Sequence, residues 1–345
     1  MTKRKPPKNV QETQLNRLMK TLRNKKASLS ELCLHTGTTT KETRELLRIL
    51  EERNVDVVRG RRGRSGTETY HINVLPDLGN VYHISDAERK TDSLVFGASS
   101  DWHLASKFHL PRTWEDAMKR LVDAGVTHVY VAGDILDGTK IYKGHLENIV
   151  SPSLEDQTDL VAEAVSKFPE LEFLAIAGNH DYSYTQQVGA KPLAIIEAKT
   201  DNFKNLGDLR ADVIFKGIRI RLLHGAGGRA YALSYPSQSY LRDYFRGLER
   251  SQLKDIPHLM IVGHYHTVYQ SKDHGIIVLQ CGSFQDGENE YCIRRGLTGP
   301  HGLFKVDLTV TKGEIEQWKT EYIQPDVVKE ERGKQHAKNT KRYKR

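Results

Sequence analysis

Five short stretches of this 345-residue chain carry side chains of the types that can bind divalent cations, and each closes an apolar run. They are DWH at 101–103, GDILD at 133–137, GNHD at 178–181, LLHG at 222–225 and GHYH at 263–266. Carboxylates, imidazoles and an amide are the oxygen and nitrogen donors that suit manganese, iron, zinc or nickel. No cysteine stands near them, which argues against a thiolate-rich structural zinc site. A carboxylate can bridge two ions and a histidine cannot, so Asp134 is the natural bridge if the centre is dinuclear.

Such groups act only if the fold gathers them. The intervals between Asp101, Asp134, Asn179, His224 and His264 are 33, 45, 45 and 40 residues, and a strand, a crossover and the next strand need roughly 30 or more. The runs SLVFGAS, THVYVAG, LEFLAIAG, IRIRLLHG, HLMIVGH and GIIVLQCG read as strands. They alternate with helical stretches such as RTWEDAMKRLVDAG and LEDQTDLVAEAVSKF, a pattern of α/β domains with a largely buried sheet. Ligands in such sheets bind beyond the carboxyl ends of the strands, where the five motifs would converge on one sheet edge.

The five motifs in this order resemble the signature of the calcineurin-like metallophosphoesterases, over about residues 94–310. The resemblance implies an α/β fold, a metallophosphoesterase β-sandwich flanked by helices. It also implies two divalent metal ions, Mn2+ foremost with Fe, Zn or Ni as alternatives. Asp101, His103, Asp134 and His266 would hold one ion, and Asp134, Asn179, His224 and His264 the other. The implied reaction is hydrolysis of a phosphate ester by water that the two ions activate. His180 would serve the departing oxygen, Asp181 would fix the tautomer of His180, and Asp137 would support the ligands from behind. One departure stands out: the isolated histidine often follows glycine in the family, whereas His224 follows Leu223 and precedes GAGG. The loop GAGGRAYALSYPSQSY, with Arg229 in its midst, reads equally as a phosphate- and base-binding loop or as a cap with buried tyrosines. His109, His128 and Trp102 read as surface or packing groups.

Ahead of this region lies a different texture. Leu15, Leu18, Met19 and Leu22 fall at helical spacing. Ser28 or Ser30 can cap a second helix presenting Leu29, Leu32 and Leu34 and ending at Gly37. A third helix, KETRELLRILEERN, turns Leu46, Leu47, Ile49 and Leu50 inward and Lys41, Arg44 and Arg48 outward. Two extended runs, 55–58 and 67–72, follow, joined by RGRRGRSG. Three helices and a two-stranded ribbon resemble the winged helix-turn-helix fold. That resemblance implies that Arg59, Arg61, Arg62 and Arg64 neutralise phosphates from the ribbon tip while a helix enters the major groove of DNA. A protein-docking role is the alternative.

The charge is segregated. Residues 1–8 hold four Lys/Arg and no acid, residues 329–345 hold eight basic and two acidic groups, and 73–328 hold 27 basic and 34 acidic. Basic arms are attracted to polyanions, nucleic acid being the commonest. The expected organisation is a basic arm at 1–12, a winged-helix-like domain at 13–75, a linker at 76–92, the metallophosphoesterase domain at 93–325 and a basic tail at 326–345. No run approaches the roughly 18 apolar residues of a membrane span, and the basic start lacks a following apolar segment. The expectation is an intracellular, cytoplasmic protein with no membrane association. Cys33, Cys281 and Cys292 match neither a disulfide framework nor a metal site and read as reduced thiols. The combined reading favours a metal-dependent DNA nuclease of repair, replication or phage DNA processing. The alternatives are a phosphatase or cyclic phosphodiesterase with a docking module, and a DNA-binding regulator with an inactive domain. Related nucleases are often dimeric, so a homodimer is a further expectation, although no heptads or apolar stripe marks an interface.

Overall fold

The computed structural model describes residues 13–15, 17–19, 21–22, 27–52, 57–62, 67–72, 80–84, 92–227, 232–247, 255–288, 290–295 and 299–326. The chain divides into two compact units, Met1–Leu75 with Thr185–Ala190, and Pro76–Tyr184 with Lys191–Arg345. The arm at 1–12, most of the tail at 326–345, Arg64 and Arg229 lie outside the described residues, as do the side chains of Arg61 and Arg62.

In the first unit, helical turns within residues 13–22 precede strand β1 (Ala27–Ser28), helices Leu29–Thr36 and Thr40–Glu52, and strands β2 (Val57–Arg62) and β3 (Thr67–Ile72). Ser28 caps its helix reciprocally with Glu31, and Gly37 ends it at φ 67°, a conformation glycine adopts without a Cβ penalty. Thr39 and Glu42 open the next helix the same way, the Thr39 N–H donating to Glu42 at 2.8 Å. Leu15, Leu18, Leu22, Leu32, Leu47 and Leu50 form the centre of one apolar core.

Three expectations change here. Leu34 is 81% exposed, because two positions beyond Leu32 a helix has turned its side chain to the opposite face. The sheet has three strands in the order β1-β3-β2, since Ala27 pairs with Tyr70. Strand β2 also runs further than 55–58. Arg59 lies opposite Tyr70, Arg61 opposite Glu68 and Arg62 opposite Thr67, so these arginines belong to the ladder and only 63–66 separate the strands.

The second unit holds two six-stranded sheets. The first contains β5 (Ser93–Ser99), β6 (His128–Ala132), β7 (Glu172–Ala177), β8 (Phe203–Asp208), β14 (Leu303–Thr311) and β15 (Glu314–Ile323), in the order β15-β14-β5-β6-β7-β8. The second contains β4 (Asn80–His83), β9 (Arg210–Phe215), β10 (Ile218–His224), β11 (Leu259–Gly263), β12 (Tyr269–Asp273) and β13 (Ile276–Gln280), in the order β12-β13-β11-β10-β9-β4. Strands β5 to β8 are mutually parallel, as are β10, β11 and β13. The stretch expected as a linker at 76–92 therefore contributes an edge strand, Asn80 to His83 pairing with Ala211 to Ile214.

The continuous apolar runs follow from burial on both faces. In β6, Tyr130 and Ala132 enter the core between the sheets, while Val129 and Val131 meet the outer helical layer with Trp114, Met118 and Leu121. Strand β7 repeats the alternation with Leu174 and Ile176 inward and Phe173 and Ala175 outward. In β11, Leu259 and Ile261 face the sandwich core, and Met260 and Val262 face a second outer layer around Leu241 of helix Tyr235–Gly247. Each fully buried side chain of this size contributes about 1.5–3 kcal/mol of transfer free energy. No helix among the described residues is long and apolar enough to cross a membrane.

Candidate metal centre

The motifs follow the carboxyl ends of five strands, but these strands belong to two sheets rather than one. Asp101 follows β5, Asp134 follows β6 and Asn179 follows β7 in one sheet, while His224 ends β10 and His264 follows β11 in the other. Asp101, His103, Asp134, His264 and His266 have φ values of 53°, 48°, 52°, 86° and 52°. Non-glycine residues held there cost of order 1 kcal/mol or more each and persist only where surrounding bonds over-determine them. The Asp101 N–H donates to the Gly133 carbonyl at 2.9 Å, the His103 N–H to the Asp134 carbonyl at 3.0 Å, and the His264 N–H to the Asp101 carboxylate at 2.9 Å. Gly178 is required by close approach, since a Cβ there would collide with the side chain and backbone nitrogen of Asp134.

Two linked clusters result. Asp101, His103 and His266 offer donor atoms within 4.8 Å of one another, as do Asp134, His224 and His264. Asp134 also groups with His103 and His180, which joins the two sets, and Asp137, His145 and His180 form a further group beside them. Asn179 completes the second, its Oδ1 lying 2.8 Å from His264 Nδ1 and 3.1 Å from His224 Nε2.

The tautomers show what belongs between these atoms. His224 Nδ1 faces the Ala132 carbonyl at 2.8 Å and must donate to it, so when the ring is neutral its lone pair is on Nε2, the atom that takes up either a proton or a cation. That lone pair looks onto Asn179 Oδ1 and, at 3.2 Å, Asp134 Oδ2. His264 Nε2 donates to the Gly227 carbonyl at 2.7 Å, so its Nδ1 lone pair meets the same amide oxygen. His103 Nδ1 donates to Asp137 at 3.1 Å, and its Nε2 faces His266 Nε2 at 3.0 Å. Lone pairs turned on one another repel unless a proton or a metal cation lies among them, and a donor set of imidazole, carboxylate and amide fits divalent cations.

The electrostatics agree. Burial opposes charge on His224 and His266, but Asp134 and Asp101 outweigh it, pushing them up to about 9 and about 10. Burial raises Asp101 and Asp134, yet the surrounding imidazoles hold both below the usual carboxylate range. The pocket is thus built to attract positive charge among its aspartates.

The environment of His180 corrects one expectation. His180 Nδ1 lies 2.6 Å from the backbone carbonyl of Asp137, with the Asp137 carboxylate 3.7 Å away. Asp181 does not touch that ring. Its carboxylate accepts the backbone N–H groups of Ile135, Leu136 and Gly178 at 3.2, 2.8 and 2.8 Å, tying the loop after β6 to the loop after β7. The reason is helical: Asn179 begins helix Asn179–Val188, so successive side chains diverge by about 100° and neighbouring rings and carboxylates cannot face each other. Burial, reinforced by Asp134, pushes Asp181 up to about 7. Burial also holds His180 down at about 4, against the pull of Asp134.

His145 is a site residue that the motifs did not indicate. It is 1% exposed, accepts the Ile141 N–H at Nδ1 and donates from Nε2 to Asp137 at 3.4 Å. Only the fold brings the 3-10 turn His145–Glu147 behind Asp137. Trp102 is fully buried as a packing group, and His109 donates to the Trp102 carbonyl. Among the basic residues expected at nucleic acid, Lys41, Arg44, Arg48 and Arg59 are exposed in the first unit, Arg48 paired with Glu45 at 2.8 Å.

The profile of the calcineurin-like phosphoesterase superfamily domain matches residues 94–293, and the chain belongs to that superfamily. Among curated proteins it is similar to the DNA polymerase II small subunit of Archaeoglobus fulgidus, 24% identical over 296 residues, 73% of this chain and 57% of that protein. It is also similar to the DNA polymerase II small subunit of Halobacterium salinarum, 24% identical over 178 residues, 49% of this chain and 34% of that protein. The chain thus spans about half or less of the length of these relatives. Among solved structures, a hypothetical protein from Pyrococcus horikoshii aligns at 11% identity and a TM-score of 0.40, covering 72% of this chain and 94% of that one.

Proposed function

We propose that the chain is a metal-dependent phosphodiesterase that cleaves DNA, with manganese as its working ion. The observation that carries the catalytic part is the convergence of imidazoles on Asp101, Asp134 and Asn179, with no lysine or arginine bonded to these three among the described residues. Asp101, His103, Asp134 and His266 would hold one cation, and Asp134, Asn179, His224 and His264 the other. When bound, two such cations activate water and neutralise the charge that builds on a phosphoryl group. His180 keeps its Nδ1 proton on the Asp137 carbonyl, so its other nitrogen is the one available to the departing oxygen, to which it would give a proton only after taking one up from the attacking water. Asp101, His103, Asp134, His224 and His266 are all buried at the strand ends, which limits the access of bulk water to them.

DNA as substrate is supported from outside the centre. The curated relatives are named DNA polymerase II small subunits, and a DNA-processing assembly is the setting those names suggest. The helices and three-stranded sheet of Met1–Leu75 read as a winged helix-turn-helix, presenting Lys41, Arg44 and Arg59 to phosphates. The basic termini would add to local DNA concentration at a domain that is itself acidic. The test is one assay of the full chain with manganese against labelled linear, circular and single-stranded DNA, a chromogenic phosphodiester and a phosphomonoester. Cleavage of DNA and diester, lost in His180→Ala, is expected. Turnover of the monoester alone would assign a phosphatase, and no turnover would assign a binding subunit.

A further inference from the structure

Beside the metal centre, a cavity of about 630 Å3 opens under helix Tyr235–Gly247. It shares a wall with the centre. His224 lines it, as does Gly227, whose carbonyl fixes His264, and Tyr265 follows His264 in sequence. Whatever stands next to a phosphoryl group held at the centre therefore has this cavity before it.

The lining defines a chemistry. The floor is apolar, made of Leu223, Met260 and Val262. The sides are aromatic: Tyr235, Tyr240 and Tyr265. Two of these rings are braced, Tyr240 by stacking on Tyr244 with centroids 6.1 Å apart and planes 7° apart, and Tyr265 by its hydroxyl donating to the Ala226 carbonyl at 3.2 Å. Arg210 lines the cavity beside Leu209, whose carbonyl holds the His224 N–H, and among the described residues it forms no ion pair. Asp243, the acid on the rim, is taken by Arg242 at 2.9 Å.

An apolar floor, braced rings and an uncommitted guanidinium next to a phosphoryl-binding centre fit a planar heteroaromatic ring carried on a phosphate. Rings stack on tyrosine faces whatever their sequence, and guanidinium recognises phosphate oxygens. A phosphoserine or phosphothreonine side chain would offer no flat face, phosphotyrosine would bring a ring without heteroatoms for a polar rim, and a sugar phosphate would leave the floor unfilled. We infer that the cavity seats the nucleobase next to the scissile phosphate, with Arg210 on that phosphate or its neighbour. This deepens the phosphodiesterase reading and rests on it.

The experiment is calorimetric binding to the manganese-loaded full chain, with deoxyadenosine 5′- and 3′-monophosphates, 2-deoxyribose 5-phosphate and inorganic phosphate as probes. Wild-type protein is expected to bind one of the nucleotides about tenfold or more tighter than the base-free sugar phosphate, the scale of one base–aromatic stack. Tyr240→Ala, which removes a face, and Ser239→Trp, which fills the space from a half-buried position, are expected to abolish that preference. Both are expected to leave phosphate affinity and metal content unchanged. Equal affinity of the wild type for nucleotide and sugar phosphate, or a preference that survives both substitutions, overturns the assignment. Because binding is read, a chain that prefers the nucleotide yet leaves DNA intact refutes the nuclease reading alone.

Discussion

Asp137 holds His180 through its backbone carbonyl, 2.6 Å from Nδ1, while its carboxylate serves two other rings, His103 at 3.1 Å and His145 at 3.4 Å. Backbone and side chain thus have separable roles. Burial would raise the Asp137 carboxyl, but those two imidazoles hold it well below the usual range. Asp137→Asn keeps the carbonyl that fixes His180 and weakens the partner that orients His103. It is expected to lower manganese affinity about 10- to 100-fold, the usual cost of losing such support. At saturating manganese, turnover is expected to recover to near the wild-type value. Metal titration followed by kinetics checks this, and a turnover defect that manganese cannot relieve would contradict it.

Asp181 should behave differently. With three backbone N–H donors on its oxygens, it joins two loops and contacts no imidazole. Asp181→Asn turns an amide N–H2 toward a backbone donor, and the expected cost is about 1–3 kcal/mol of stability. Denaturant melts measure that loss. Activity per folded molecule is expected to stay within a few fold, whereas a general-base partner of His180 would lose far more.

The contrast between these aspartates shows what was legible in the sequence. The strands of the second unit could be read because runs buried on both faces stay apolar throughout, and the ligands because each stands just past such a run. Which neighbour orients His180 could not be read, since adjacency in GNHD suggests Asp181 and only the helix beginning at Asn179 turns it away. His145 was hidden because its role depends on a chain turn behind Asp137 that no local pattern marks. Asn80–His83 carries no strand signal because an edge strand needs little apolar sequence, and nothing marks the continuation of β2 because arginine is an unremarkable resident of an exposed strand. The division of the ligands between two sheets was equally invisible, as strand order is set by packing across the sandwich.

Acid sensitivity is expected from the ladder that supports β10. Burial would raise Asp212, but hydrogen bonds from Arg221 at 2.7 Å and Arg219 at 2.6 Å hold its carboxyl below the usual range. A depressed carboxyl contributes stability that is complete above its unfolded pKa, about 3.9, and disappears as pH falls through the folded value. Asp212→Asn leaves Arg221 buried without its charge partner and is expected to cost about 3 kcal/mol near pH 7. Melts from pH 7 to 2 should show wild type and variant converging only below about pH 4. A difference that persists unchanged to pH 2 would mean the pair is not the source.

The first unit offers a separate test. Arg44 and Arg59 are exposed, and each is expected to contribute one phosphate contact. Arg44→Ala with Arg59→Ala should weaken DNA binding and reduce the salt slope by about one for each residue. Hydrolysis of a small chromogenic diester should be unaffected. Fluorescence anisotropy at several salt concentrations reads the slope, and an unchanged slope would move the DNA contacts elsewhere.

The account stands or falls on the two cations proposed to lie among His103, His224, His264 and His266. Elemental analysis of the full chain, equilibrated with manganese and freed of excess, measures them directly. Two equivalents per chain are predicted for the wild type and no more than one for His264→Ala. A wild-type protein that retains none, with its fold intact, would contradict the account.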